Sequence, residues 1–184
     1  MSDSTHGHVF QALVSTAKVQ GVRLVLFGGF ALPIHGVERS TLDIDFLICD
    51  EDLEVFAGTA MRQGYAEVLR TTQYAKFRHD LPEILDIDTV FVDRGTIERI
   101  WADGHDEMVF GTQLRCASLD MMLGTKLHAI RYNEANRGRR DFDDVVELLT
   151  ANGVAPRSER FRQLCERYGT DEILERICNA TNQS

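Results

Sequence analysis

The sequence has no apolar run approaching the roughly 20 residues of a membrane-spanning helix. Its first ten residues, MSDSTHGHVF, lack the charged stretch and apolar stretch of a secretory leader. No membrane association is expected, and a cytoplasmic location is. Paired cysteines are missing as well: Cys49, Cys116, Cys165 and Cys178 are scattered with no C-x-x-C, which argues against a zinc ribbon or disulfide framework and for buried free thiols. The six histidines contain no H-E-x-x-H. His6 and His8 read as tail residues, and His35, His79, His105 and His128 as structural ones. Basic residues are in deficit, 20 Lys and Arg against 29 Asp and Glu for a formal charge of −9, so the protein is not expected to coat nucleic acid through bulk charge. No repeat, low-complexity tract or long linker divides the 184 residues. They read as one domain, large enough to bury roughly 70% of its unfolded-state surface without staples.

Two phosphate-binding patterns are also absent. There is no G-x-x-x-x-G-K-[ST], and LFGGFALPIHG lacks the G-x-G-x-x-G spacing of a dinucleotide fold. What stands there instead, from Leu24 to Ile48, is an apolar run, Gly28–Gly29, a short helical stretch through His35 with Pro33 near its first turn, and a second apolar run carrying Asp43 and Asp45. A glycine pair at a strand-to-helix junction lets a ligand approach the backbone and leaves amides for anionic oxygens. On a strand, residues two apart share a face, so both carboxylates project together while Leu42, Ile44, Phe46 and Ile48 are expected in the core. Two acids roughly 7 Å apart raise each other's pKa or recruit a counter-ion, and Mg²⁺ shared with substrate phosphates is one solution.

The rest of the chain supports that stretch. His8–Gln20 has helical periodicity and ends at Gly21, and Val22–Phe27 reads as a buried strand. A helix from about Asp52 to Gln63 follows the acidic strand, with Leu53, Phe56, Ala57 and Ala60 on one face. Three strand-like segments come next: Tyr65–Leu69, Thr72–Arg78 and Ile84–Val92. The last alternates so that Asp86, Asp88, Val90 and Val92 share a face. Thr96–Ala102 reads as a short helix, and Glu107–Phe110 with Gln113–Cys116 as a hairpin around Gly111. Beyond it the chain is helical: Leu119 to about Ala135 capped by Ser118 and broken by Gly138, then about Arg140 to Asn152 burying Phe142, Val145, Val146, Leu148 and Leu149. Two shorter amphipathic segments complete it. Between Lys126 and Arg140 the charge reverses, with Lys126, Arg131, Arg137, Arg139 and Arg140 against Glu134 alone.

In the order strand, Gly-Gly, helix, acidic strand, acidic strand, these parts predict in-line phosphoryl or nucleotidyl transfer. Two divalent ions roughly 3.5–4 Å apart would clamp the attacking and leaving oxygens, with three carboxylates offsetting their charge. A lysine or arginine from the helical half would steady the charge developing on the phosphates.

GGFALPIHGVERSTLDIDFLI resembles the signature of the nucleotidyltransferase superfamily, whose pattern is a glycine pair, a spacer and D-h-D. R-S-T-L-D-I-D, L-G-T-K-L-H-A-I-R and R-R-D-F-D-D-V-V-E-L-L together resemble the AbiE-type abortive-infection toxins, AbiEii and AbiGii among them, over about Val22–Leu149. The resemblance implies a polymerase-β-like α/β (α+β) fold: a core over about residues 1–116 with a mixed sheet flanked by helices, and a helical C-terminal subdomain over about 117–184. It implies Asp43 and Asp45 as catalytic metal ligands for Mg²⁺, as two ions with Mn²⁺ as a substitute. Asp88 is the implied third carboxylate, metal ligand or support, while Asp86 shares its face and can substitute. Gly28 and Gly29 match the nucleotide-phosphate loop, Arg39 and Thr41 the residues leading into D-h-D, and Lys126 the helical lysine directed at nucleotide phosphates. Asp141, as a catalytic residue, and Asp144, on the nucleotide side, match the last motif. Arg140 departs from the lysine common there. The implied reaction moves an NMP from an NTP such as ATP to an acceptor hydroxyl. The implied acceptor is a tRNA 3′ end, reached through the Lys126–Arg140 segment, with a cognate antitoxin as partner. A small-molecule acceptor such as an aminoglycoside, a protein side chain, and an inactive nucleotide-binding module are the alternatives.

Overall fold

The computed structural model describes residues 2–132 and 138–181, which form two compact units. The first comprises the residues up to Ala31 together with Arg39–Ala117, and the second Leu32–Glu38 with the residues from Ser118 onward.

The first unit is a seven-stranded mixed sheet with helices. Its strands are β1 (Val25–Phe27), β2 (Asp43–Cys49), β3 (Tyr65–Arg70), β4 (Tyr74–His79), β5 (Asp86–Val92), β6 (His105–Val109) and β7 (Thr112–Cys116), in the order β3-β4-β5-β2-β1-β7-β6. β2 runs parallel to β5 and β1 parallel to β7, and the other neighbours are antiparallel. Helices α1 (Ser2–Val19), α2 (Leu53–Arg62) and α3 (Arg94–Asp103) complete it. The period-two alternation of β2 buries Ile44, Phe46 and Ile48, and Phe46, Phe56 of α2 and Phe77 of β4 meet edge-on in sequence. Each such ring or aliphatic chain contributes roughly 1.5–3 kcal/mol by leaving water. Asp93 caps α3 by accepting from the Thr96 amide at 2.9 Å, and its bonds from the Thr96 hydroxyl and amide hold the carboxyl below its ordinary range.

Two expectations are corrected here. Leu42 is 83% exposed and stands before the strand, which begins at Asp43. The Thr41 hydroxyl bonds forward to Asp43, so a side-chain turn rather than a ladder shapes the chain at Leu42. His6 is not a tail residue: α1 begins at Ser2, His6 is buried, and its Nδ1 accepts from the Leu85 amide at 3.3 Å. That bond spans 79 residues, so no local pattern announces it. The β6–β7 hairpin turns on Phe110 and Gly111, at φ 47° and 74°, both left-handed as a two-residue type I′ turn requires. The Phe110 ring packs edge-on against His6 and Phe10.

The second unit is helical: α4 (Leu119–Tyr132), α5 (Gly138–Ala151), α6 (Glu159–Tyr168) and α7 (Asp171–Thr181). Leu123, Leu127 and Ile130 of α4, Val145, Leu148 and Leu149 of α5, Phe161 and Ile177 form its core. Residues 32–38 belong to it through a 3₁₀ turn, Pro33–His35, closed by Gly36 at φ 81°. The Asn152 side-chain amide donates to the His35 carbonyl at 2.9 Å. Gly138 is buried in the first turn of α5, and the break expected before it lies outside the described residues. The expected end of α4 near Ala135, with Glu134 and Arg137, lies outside the described residues. Phe142 and Val146 are only half-buried, because Asp141 and Asp144 take the inward face of α5 beside Val145 and Leu148. Among the described residues no helix is long and apolar enough to cross a membrane.

Candidate active site

The register of the sheet assembles an acid cluster in the first unit. β2 lies beside β5 with Asp43 opposite Asp86 and Asp45 opposite Asp88. Asp43, Asp45 and Asp88 each offer a carboxylate oxygen within 4.8 Å of the others. Asp86 is drawn instead toward Arg78, whose Nε lies 3.4 Å from its Oδ2. Geometry therefore separates the two acids of β5 that share a face.

Each carboxylate of the cluster has a holder. The Thr41 hydroxyl donates to Asp43 Oδ1 at 2.7 Å, the Gly29 amide donates to Asp45 Oδ2 at 3.4 Å, and Lys76 Nζ donates to Asp88 Oδ2. Holders of this kind fix which way an acid points and leave its remaining oxygen for other work. Lys76 was not singled out from the sequence. The signal was there: Lys76 and Arg78, two apart on β4, face Asp88 and Asp86, two apart on β5, as cross-strand pairs of opposite charge.

Gly28 and Gly29 follow β1 directly, and the register of β1 against β2 sets Phe27 opposite Asp45. Gly28 has φ 68°, and a Cβ there would stand 2.0 Å from Asp45 Oδ2. The glycine is thus needed for its backbone angle and for the space the carboxylate occupies. A Cβ on Gly29 would meet the Thr41 hydroxyl at 2.7 Å. The stretch Gly28–Ala31 is a 3₁₀ turn, and the Gly29 amide points at Asp45. Arg39 is half-buried in the loop leading to β2. The donor set fits a hard divalent cation, which takes carboxylate oxygens rather than nitrogen or sulfur, and the missing Cβ of Gly28 keeps Asp45 open to one.

The remaining predicted residues form a second cluster, inside the helical unit. Lys126 Nζ lies 2.7 Å from Asp141 Oδ1 and 2.7 Å from Asp144 Oδ2. These aspartates are three apart on α5 and so share a face. The basic segment around Lys126 is correspondingly thinned. Arg131 donates to the Gly169 carbonyl at 3.2 Å, and Arg139 and Arg140 are exposed. His79 Nδ1 accepts from the Leu81 amide, so its Nε2–H is left to donate to the Gln63 carbonyl at 3.1 Å. Burial pushes the Cys116 and Cys165 thiols up to about 12.

Comparison with known proteins gives this geometry a context. Residues 11–183 match the family model described as nucleotidyl transferase AbiEii toxin, type IV toxin–antitoxin system. No curated protein sequence matches significantly. Among solved structures, the antibiotic-resistance factor ANT(2″)-Ia aligns with a TM-score of 0.56 at 16% identity, over 98% of this chain and 93% of that one. An antigenic nucleotidyltransferase-like protein from Paracoccidioides brasiliensis aligns with a TM-score of 0.58 at 12% identity, over 96% and 93%. The lincosamide antibiotic adenylyltransferase LnuA, solved with lincomycin, aligns with a TM-score of 0.56 at 12% identity, over 78% and 96%. At these identities the likeness is one of fold, and it is the fold the sequence resemblance implied.

Proposed function

The chain belongs to the AbiEii nucleotidyl transferase toxin family and is an enzyme of nucleotidyl transfer, and from that premise we propose that Asp43, Asp45 and Asp88 form its catalytic centre. The carrying observation is their convergence within 4.8 Å beside the Gly28–Gly29 turn. The reaction moves an NMP from an NTP to an acceptor hydroxyl with release of pyrophosphate. The three carboxylates would hold Mg²⁺ or Mn²⁺, which when bound offsets their charge and polarises the phosphoryl oxygens.

The protein's own contribution is placement. Thr41 and Gly29 orient Asp43 and Asp45, so the acids need little rearrangement to receive a cation. The side-chain-free turn at Gly28–Gly29 lets the nucleotide phosphates come close to the backbone. Arg39 leads into the cluster from the loop before β2 and supplies positive charge for phosphate. For Lys126 to bind a phosphate oxygen, as the resemblance implies, it would exchange one of its two aspartates, Asp141 or Asp144, for that oxygen.

The family description names a toxin with an antitoxin as counterpart. The acceptor proposed here is the 3′ end of a tRNA, with Arg139 and Arg140 as exposed cations for its backbone. A cationic small molecule is the second reading, favoured by the net charge of −9, and ANT(2″)-Ia has been solved with adenylyl-2″-tobramycin. Incubation with each radiolabelled NTP, Mg²⁺ or Mn²⁺ and total cell RNA, resolved on a gel, tests both. A labelled tRNA band that disappears with Asp45→Asn supports the RNA reading. Label on an aminoglycoside alone moves the acceptor to small molecules, and no transfer to any acceptor sinks the proposal.

A further inference from the structure

Lys76 sits in β4 with Asp88 opposite it on β5, and its ammonium bonds Asp88 Oδ2. Asp88 is therefore held by a full charge, where the Thr41 hydroxyl and Gly29 amide that hold Asp43 and Asp45 are neutral. Lys76 is also not locked in place. Its side chain is 32% exposed and that of Asp88 21%, so the ammonium can swing into water without uncovering a core.

We infer that Lys76 is a stand-in cation for the acid cluster, a positioning residue that competes with the metal. In the metal-free protein it aims Asp88 into the cluster and relieves the repulsion among three carboxylates. A divalent ion that ligates Asp88 must displace it or accept a unit positive charge beside itself, so Lys76 weakens metal binding. This is the reverse of what a merely structural lysine would do, since loss of a structural support loosens a site. The Arg78–Asp86 pair on the same two strands is no substitute: Arg78 is 64% exposed and its contact is 3.4 Å. The inference rests on the reading of Asp43, Asp45 and Asp88 as a metal site.

The test is Mn²⁺ binding to nucleotide-free protein, by electron paramagnetic resonance or calorimetry at constant ionic strength, in wild type, Lys76→Met, Lys76→Arg and Asp45→Asn. Removing one positive charge at contact distance from a partly solvated site should tighten Mn²⁺ binding roughly tenfold in Lys76→Met. Lys76→Arg should keep the wild-type affinity or weaken it. The Mn²⁺ concentration for half-maximal transfer should fall by the same factor in Lys76→Met. If Lys76→Met melts as an unfolded chain, Lys76→Gln, which keeps a hydrogen-bond donor and loses the charge, takes its place. Unchanged or weaker Mn²⁺ binding in the folded neutral variant overturns the inference while leaving the metal site standing, provided wild type binds and Asp45→Asn does not. Wild type that binds no Mn²⁺, or Asp45→Asn that binds as wild type does, removes the metal site and Lys76's role with it.

Discussion

The two charged clusters of this protein are built from the same groups, aspartates and a lysine, and differ in burial and in how the lysine is used. In the first unit three carboxylates converge and a lysine bonds one of them, with Lys76 and Asp88 32% and 21% exposed. In the helical unit one lysine serves two carboxylates, with Lys126, Asp141 and Asp144 14%, 8% and 4% exposed. The first is open and short of positive charge, an arrangement suited to receiving a cation. The second is closed, and it ties α4 to α5. A lysine matched by motif alone does not reveal which kind of cluster it occupies. Its burial and its number of acid partners do.

The comparison is broken most sharply at its acid end. Asp45→Asn should lower transfer by about 10³-fold, equivalent to about 4 kcal/mol of barrier, with the melting temperature nearly unchanged. Radiolabel transfer and calorimetric melting of the same preparation check it, and a stability loss of similar size would make the acid cluster structural. Lys126→Met should do the reverse and cost about 3 kcal/mol of stability by stranding two buried carboxylates. Urea unfolding reads it, and a stable, inactive variant would give Lys126 a purely catalytic role.

Gly28→Ala should show both effects on a smaller scale. Its φ of 68° costs about 1–2 kcal/mol with a side chain, and the new Cβ must push Asp45 aside. Activity should therefore fall further than the urea midpoint accounts for. The smallest effect is one the two units share, since each holds a thiol that burial raises from 9.0 to about 12: Cys116 in the first and Cys165 in the second. A raised folded-state pKa contributes stability that is fully present below the unfolded value and lost as pH rises toward the folded one. The melting temperature should thus decline between about pH 9 and 12, and the decline should be shallower in Cys116→Ala.

Much of this could be read from the sequence because it is local. Alternation located Asp43 and Asp45 on one face of β2, glycines marked the turns at Gly36 and Gly111, and Ser118 caps its helix. The seven-stranded sheet with helices is the fold the motif resemblance implied. The parts that could not be read depend on pairings between distant segments. Asp86 and Asp88 are equivalent by periodicity, and only the β4–β5 and β2–β5 registers send one to Arg78 and the other to the cluster. His6 finds its partner at Leu85. Asp141 and Asp144 lie on a face otherwise apolar, and a pattern of hydrophobicity cannot say that a lysine from α4 makes their burial tolerable.

The turn at Pro33–His35 sets a schedule for synthesis. Its partner, Asn152, lies 117 residues further along the chain. At roughly 5–20 residues per second on the ribosome, that is a wait of roughly 6–23 s before the His35 carbonyl can meet the side chain that bonds it. A fragment beginning at Ser118 would have all four long helices and still lack this turn. The helical unit is thus finished by residues made before most of the sheet, and the sheet must form around a loop already promised elsewhere.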